Sequence, residues 1–264
     1  MTALDVFIDG TPLNTAMSGV DSFKGRRGLA GRRVVSVTAP GGHGVIPVTG
    51  AFEPWPFSLG LWVKGGPDGS PGTLAGLEWA IGDLLGAFAK PGLMNVDWVA
   101  PDYSIRRGAA RLLGSTEPVI DELELLARFT VALELPRVFW RGADLVVNTS
   151  TVFNAAVAIP LLGESTAAVM DAEFVVVGPA TSPRLSTSRG LVQYMPDLLT
   201  GETLSISNGT LQATLDGTPV TADLQYGGSN PRFLDLYPGD AVTCTAGGTT
   251  IASLWTVAAR PSYL

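Results

Sequence analysis

Apolar and polar residues alternate with a period of two in much of the N-terminal part of the chain. The clearest run covers residues 57–64, where one face collects Phe57, Leu59, Leu61 and Val63. A strand that buries one face has this pattern. Shorter runs at 4–9 and 33–38 are separated by glycine-rich turns. We therefore predict that this part of the chain consists of short β-strands.

The period changes between Gly72 and Pro91. Apolar residues recur there at alternating spacings of three and four, which places them on one stripe of a helix. The predicted packing face of this helix consists of Leu74, Leu77, Ile81, Leu84 and Phe88. Thr73 offers an N-cap oxygen, and Lys90 offers a positive charge near the C-terminal end. The pattern predicts one amphipathic helix over residues 72–89.

The remainder of the chain shows no second helical stripe. After a long alternating run over residues 127–140, the segment Arg141-Gly142-Ala143-Asp144 is a plausible hinge. Beyond it, short alternating runs are bounded by Gly, Pro, Asn and Ser, which is typical of a β-sandwich. These runs lie at 155–160, 172–177, 203–206 and 211–215. We predict two domains, residues 1–147 and 148–264.

Composition supports a folded, turn-rich chain. Glycine and proline contribute 32 and 19 of the 264 residues, while charged residues make up only 16%. That balance argues against disorder. The formal net charge of −7 gives no overall attraction to nucleic acid or to an anionic membrane. No standard export signal and no apolar run long enough to cross a membrane is present in the sequence, so we predict no membrane insertion.

Candidate catalytic groups are scarce. The single histidine, His43, lies in a glycine-rich loop, and no Gly-x-Ser-x-Gly motif accompanies it. The single cysteine, Cys244, lies in a strand-like run that is typical of a core position. These two residues cannot build a structural zinc site. The acidic cluster of Asp121, Glu122 and Glu124 indicates a solvated turn, although a pair of glycosidase carboxylates remains formally open. We predict no enzyme, no cofactor and no metal.

Two further groups of residues leave alternatives open. Five cations fall within ten residues, namely Lys24, Arg26, Arg27, Arg32 and Arg33. Without interleaved aromatic residues they do not indicate nucleic-acid binding, so they form either a solvated loop or one half of a contact with an acidic neighbouring subunit. The second group either fills the core or an interface, which is commoner, or lines a sugar platform. Its members are Trp55, Phe57, Trp62, Trp255 and Tyr263.

A turn motif lies near the C-terminus. Proline fixes φ at the second position of a tight turn and glycine accepts the positive φ that follows. The motif consists of Phe233, Leu236, Pro238, Gly239 and Asp240. With a β-rich N-terminal unit that holds one helix, and an all-β C-terminal unit, this ending resembles the siphophage distal tail proteins. The abundance of glycine, proline and small residues is similar to minor tail proteins of phages that infect high-GC actinobacteria.

The resemblance implies a fold and a function. The expected fold is mainly β, with an N-terminal split β-barrel that carries the helix and a C-terminal galectin-like β-sandwich. The expected role is a hexameric ring at the distal end of a long non-contractile tail, in the virion, after assembly in the host cytoplasm. The tail-tube protein would lie above the ring, the tail-tip hub, fibre or receptor-binding proteins below it, and DNA would pass through passively.

Two other functions remain open at this stage. One is a carbohydrate-binding β-sandwich module for attachment to the host surface. The other is a different minor tail protein or a tail-tube subunit.

Overall fold

The structure is a computed structural model that describes residues 5–26, 35–38, 45–48, 53–65, 72–228 and 234–264. The protein is mainly β, as predicted, and its strands form antiparallel sheets. The chain divides into two compact units between Trp140 and Arg141, whereas the sequence pattern places the boundary near residue 147. Phe233, His43, Arg27, Arg32 and Arg33 lie outside the described residues.

The first unit contains ten strands among its described residues and one helix. In chain order they are β1 (Val6–Ile8), β2 (Thr11–Pro12), β3 (Ser18–Lys24), β4 (Val35–Thr38), β5 (Val45–Val48), β6 (Trp55–Lys64), α1 (Leu74–Phe88), β7 (Met94–Val99), β8 (Ile105–Ser115), β9 (Val119–Asp121) and β10 (Leu126–Leu135). The main sheet has the order β2-β1-β7-β8-β10-β6-β3, and β9 pairs with β10. Within the described residues β2 and β3 end this path without meeting, so the predicted split barrel is an open sheet.

The core of the first unit is built on the alternating face predicted for β6. Phe57, Leu59, Leu61 and Val63 are all buried, and β10 buries every second residue beside them. Four aromatic rings from distant parts of the chain, those of Phe23, Phe57, Trp98 and Trp140, meet with centroids 5.4 to 6.0 Å apart. Most of these pairs are edge-to-face, the geometry that aromatic quadrupoles favour.

Helix α1 begins two residues later and ends one residue earlier than the predicted range. Thr73 is its N-cap, since its hydroxyl accepts a 3.1 Å hydrogen bond from the amide of Gly76. The helix lies against β6 and β10. Within the predicted packing face, Leu77, Ile81 and Phe88 are buried, Leu84 is half-buried and Leu74, in the first turn, is exposed.

The second unit begins within β11 (Trp140–Gly142). Its elements are β12 (Val146–Ser150), β13 (Ala156–Ala158), α2 (Pro160–Glu164), β14 (Glu173–Val177), β15 (Thr181–Ser186), β16 (Gly190–Tyr194), β17 (Thr203–Ser207), β18 (Gln212–Leu215), β19 (Thr218–Pro219), a 3₁₀ turn (Thr221–Asp223), β20 (Leu224–Gly228), β21 (Ala241–Gly247), β22 (Leu254–Ala259) and β23 (Ser262–Tyr263). The helix α2 is too short to show a helical stripe in the sequence. Asp216 and Gly217 join β18 to β19 with positive φ, the geometry of a type I′ hairpin turn.

Two sheets of the second unit enclose one apolar core. Their strand orders are β12-β22-β14-β17-β18-β19 and β13-β21-β15-β16-β20. Phe174 and Trp255 come from the first sheet, Leu185, Tyr194 and Cys244 from the second, and all belong to the same buried cluster. The predicted β-sandwich is therefore present.

Candidate assembly surfaces

The C-terminal turn motif forms a tight turn in the second unit. The amide of Asp240 donates a 3.0 Å hydrogen bond to the carbonyl of Tyr237, which closes the turn around Pro238 and Gly239. Gly239 has a φ of 80°, the left-handed conformation that glycine accepts without strain. The carboxylate of Asp240 accepts a second bond, 2.9 Å, from the amide of Tyr237. Each residue of the turn thus has a backbone role.

Side chains around this turn fix it to the sandwich. Ser188, in the β15–β16 hairpin, donates a 3.1 Å hydrogen bond to the free oxygen of Asp240. The guanidinium of the neighbouring Arg189 lies 3.8 Å from the centroid of the Tyr237 ring, a cation–π contact. The backbone of Leu236 exchanges two hydrogen bonds with Val169. The motif therefore supports the fold at this place and presents no reactive group of its own.

The segment that leads into the turn is held by Asn208. This side chain is buried and bonds the backbone of Leu234 twice, accepting from its amide at 3.3 Å and donating to its carbonyl at 2.5 Å. Asn208 is the first residue of a sequence that has the form of a glycosylation site, Asn208-Gly209-Thr210. A side chain with this burial is not available for modification in the folded protein.

An exposed apolar surface lies on the C-terminal part of β8, on β9 and on the turn before β10. We call these residues, 112–123, the arm. Five large apolar side chains of the arm are exposed by 38 to 97%, namely Leu112, Leu113, Val119, Ile120 and Leu123. A groove of about 480 Å³ lies beside β9 and the turn. Patches of this kind on soluble proteins mark interaction sites more often than chance.

The arm also has a free strand edge. Strand β7 pairs with β8 only as far as Ala110, so the part of β8 beyond it pairs on one side, with β10. Within the part of the chain that the structure describes, β9 likewise pairs with β10 alone. At the other end of the sheet β3 pairs with β6 alone among the described residues. Two strand edges in the first unit are thus open to a further strand.

The outward face of α1 is a third exposed surface. Trp79 is 67% exposed, and Gly82 and Gly86 lie on the same side of the helix. A Cβ atom added at either glycine would meet no other atom within 4 Å. Glycine in a helix interior costs stability, and the packing of the unit itself gives no reason for it here.

The acidic cluster forms a capped turn at the end of the arm. The carboxylate of Asp121 accepts hydrogen bonds from the amides of Leu123 and Glu124, at 3.0 and 3.2 Å. Asp121, Glu122 and Glu124 are all exposed. This is a solvated turn of the kind that the sequence indicated.

The aromatic residues that left two interpretations open follow the commoner one, which is filling of the interior. Trp55, Phe57, Trp255 and Tyr263 are buried, and only Trp62 is partly accessible. The indole of the buried Trp255 donates a 2.8 Å hydrogen bond to the carbonyl of Val152. These rings fill the two cores, so they do not form a platform.

Of the predicted cation cluster, Lys24 is exposed at the end of β3 and Arg26 lies 5.7 Å from the Trp98 ring.

A polar row crosses the outer face of the five-stranded sheet. Registered neighbours on β21, β15, β16 and β20 bring four side chains into line, namely Thr245, Arg184, Gln193 and Gln225. Adjacent strands lie about 4.8 Å apart, so the row is on the order of 15 Å long. Such a row offers hydrogen-bond donors and acceptors to a hydroxyl-rich ligand.

The described residues hold little that is suited to catalysis. Burial raises the pKa of the Cys244 thiol to about 12, which removes its nucleophilic thiolate at neutral pH. Within the described ranges, no three His, Cys, Asp or Glu side chains gather closely enough to hold a metal ion. No helix in the same ranges is long and apolar enough to span a membrane.

The chain has structural neighbours but no match by sequence. No family model and no curated protein matches it. The structure matches the SPP1 Dit (gp 19.1) protein, described as a paradigm of the hub adsorption apparatus in phages that infect Gram-positive bacteria, with a TM-score of 0.66 and 13% identity. The match covers 98% of this chain and 99% of that one. Two structures of the phage p2 baseplate, activated with Sr and with Ca, have TM-scores of 0.45 and 0.43 at 8% and 7% identity.

At the level of the fold, these findings agree with the sequence motif. Both units of the chain are included in the match to the SPP1 protein, and each has the mainly β structure that the resemblance implied. The protein therefore has the fold of a siphophage distal tail protein.

Proposed function

We propose that this protein is a structural component of a long non-contractile phage tail. Copies form a ring, six to a ring, at the distal end of the tail. The ring joins the tail tube to the tail-tip and host-adsorption proteins. The observation that carries this proposal is the fold shared with the SPP1 Dit protein along nearly the whole of both chains.

The surfaces of the first unit support a ring. A ring of identical subunits needs two different faces that fit one another, because head-to-tail contacts close by rotation. The first unit has two free strand edges, one on the arm and one on β3, and an exposed apolar surface on the arm. Free edges pair readily with other chains, so assembly is the use that best explains them.

The charges of the chain suit a passage for DNA. The net charge is −7, and Arg107, Arg111 and Arg128 each pair with a carboxylate on the main sheet. A conduit with a net negative charge does not retain a polyanion. We assign no catalysis, cofactor or metal to the protein, and we assign its galectin-like second unit a role in docking to other tail proteins.

The first test is the position and number of the copies. Light scattering of the purified chain, with and without the tail-tube protein of the same phage, is expected to give the mass of six copies. Negative-stain images are expected to show rings. Electron microscopy of the virion with a label on this chain is expected to place it at the distal tip; a label elsewhere contradicts the proposal.

A second candidate function is glycan binding by the sandwich. The supporting observation is the polar row on the five-stranded sheet, whose side chains have no hydrogen bond or ion pair to other described residues. A glycan array with the intact protein tests this function. Retention that Arg184→Ala abolishes would support it, with Thr214→Ala on the other sheet as the matched control. No retention on any glycan would remove it.

A further inference from the structure

The two free edges of the first unit flank the same four-stranded part of the sheet. Beside the arm, the strand order is β9-β10-β6-β3. One row of registered residues crosses all four strands and consists of Ile120, Ala127, Val63 and Ser18. A second row, which includes the end of β8, consists of Gly114, Ala132, Ser58 and Lys24. Residues 114–120 and 18–24 therefore lie at the same height on opposite edges.

The directions of the strands allow these edges to pair between copies. Each neighbouring pair in the order β9-β10-β6-β3 is antiparallel. Strands β9 and β3 therefore run in opposite directions. Two copies that stand side by side in the same orientation bring β9 of one copy next to β3 of the other, again antiparallel. Because the edges share the same rows, the two strands pair without a shift along their length. A flat ring requires a pairing of this kind.

The side chains of the arm have the character of an interface. Leu112 and Ile120 lie in rows with the buried Leu133 and Ala127, so they continue the core side of the sheet past its edge. The five exposed side chains of the arm offer on the order of 400 Å² of apolar surface. That is about half of the roughly 800 Å² that each partner buries in a standard interface. The strand edge and the facing β3 supply further area.

The arm has few charges to protect its free edge, although Pro118 and the register shift at Leu113 interrupt that edge. Soluble proteins usually place lysine or other charges along an exposed edge strand. Residues 112–120 contain one charged residue, Glu117, and no lysine. An edge with these properties pairs with another strand when one of matching direction is at hand.

We propose that residues 114–120 of one copy pair with residues 18–24 of the next copy as antiparallel strands, row against row. The contact joins two different edges, so it continues from copy to copy. The occupant of the arm is thus a second copy of this chain. This inference rests on the proposed ring and adds to it which edges meet.

Disulfide trapping tests the pairing directly. The only native cysteine, Cys244, is buried and its thiol stays protonated at neutral pH, so the background is low. The double variant Ser18→Cys/Ile120→Cys is expected to give a ladder of covalent multimers on mild oxidation. Each single variant is expected to give none, because the contact is not symmetric. A dimer from Ile120→Cys alone would overturn the head-to-tail pairing.

A matched control tests the alignment of the rows. In Lys24→Cys/Ile120→Cys the two cysteines are six residues apart along the edge, about 20 Å. Disulfides need Cα atoms within about 7 Å, so this variant is expected to give no ladder. A ladder from this variant with none from Ser18→Cys/Ile120→Cys would overturn the proposed alignment.

A charge on the arm is expected to prevent assembly without unfolding the subunit. Val119 is 75% exposed on β9, so Val119→Lys protects the edge at little cost to the fold. We expect light scattering to show at least a tenfold loss in assembly and circular dichroism to be unchanged. Tyr103→Lys, at an 86% exposed position in the turn before β8, is the control and is expected to assemble normally.

The outcomes separate this inference from the proposed function. Rings that persist in Val119→Lys, with no ladder from Ser18→Cys/Ile120→Cys, would overturn the edge pairing while the ring stands. A wild-type chain that stays monomeric with its tail-tube partner present would overturn both.

Discussion

Asp97 and Arg107 face one another directly across β7 and β8 and form two parallel hydrogen bonds, 2.8 and 2.6 Å long. Asp97 is buried and the side chain of Arg107 is 46% exposed. The hydrogen bonds to Asp97 raise the pKa of Arg107 above its ordinary value. A fork-to-fork pair of this kind fixes both distance and orientation. It therefore holds the register between β7 and β8 more firmly than a single surface ion pair would.

Asp97→Asn is expected to lower the free energy of unfolding by about 1 kcal/mol. The amide keeps the size of the carboxylate but loses one acceptor and its charge, and the exposure of Arg107 limits the effect. Urea denaturation measures the difference. Asp21→Asn is the matched control, because its pair with Arg128 is 3.5 Å long and both side chains are exposed. An equal loss in the two variants would contradict this account.

Alanine substitutions at two glycines of the first unit are expected to change the free energy of unfolding in opposite directions. At Gly108 a Cβ would lie 2.4 Å from Leu135 and 2.9 Å from Trp140, so Gly108→Ala overpacks the core and costs about 1 to 3 kcal/mol. At Gly82 the space is open, and Gly82→Ala stabilises α1 by about 0.5 to 1 kcal/mol. Thermal and urea unfolding of the monomeric protein report both. A destabilised Gly82→Ala variant would contradict the prediction.

The thiol of Cys244 is expected to be inert in the native protein. Because burial raises its pKa to about 12, thiolate is scarce at pH 8 and a thiol reagent should react only after denaturation. Since the pKa is higher in the folded than in the unfolded chain, its contribution to stability is complete below about pH 9 and falls as the pH rises toward 12. Titration with a chromogenic disulfide reagent, with and without urea, checks the reactivity. Rapid native reaction would contradict the burial.

Asp9 is expected to contribute to the loss of stability in acid. Its hydrogen bond from Lys90, and then the one from the amide of Asn95, lower its pKa. A group whose pKa is lower in the folded state stabilises the fold above its unfolded pKa, about 3.9. That contribution is lost as the pH falls through the folded pKa. Asp9→Asn should therefore be less stable than the wild type at pH 6, and the difference should shrink toward pH 2.

Local patterns predicted the elements with regular periods. The strand β6 and the helix α1 each show one uninterrupted period, so their buried faces follow from spacing alone. In β3 the register shifts between Val20 and Ser22, which breaks the alternation. The structure therefore shows a strand at a place where the apolar residues follow no clear period. A similar shift occurs in β8, where Leu113 is the extra residue between Leu112 and Gly114.

The exposed surfaces were harder to predict than the elements. Whether an edge is free depends on which distant strands pair, and those pairings join residues such as Ser18 and Val63 that are far apart in sequence. The apolar residues of the arm look like ordinary strand residues in the sequence, because periodicity does not show that β7 stops at Met94 opposite Ala110. The aromatic residues had two open interpretations, and only the folded core shows that most of them are buried.

The position of Trp140 has a consequence for how the first unit forms during synthesis. Its ring completes the cluster with Phe23, Phe57 and Trp98, although it ends the continuous run Met1–Trp140 of its unit. The nascent chain therefore cannot close this core until residue 140 has left the ribosome, and early folding must wait for contacts of long sequence separation. A fragment that stops before Trp140 would lack the ring that completes the aromatic cluster in the core of the first unit.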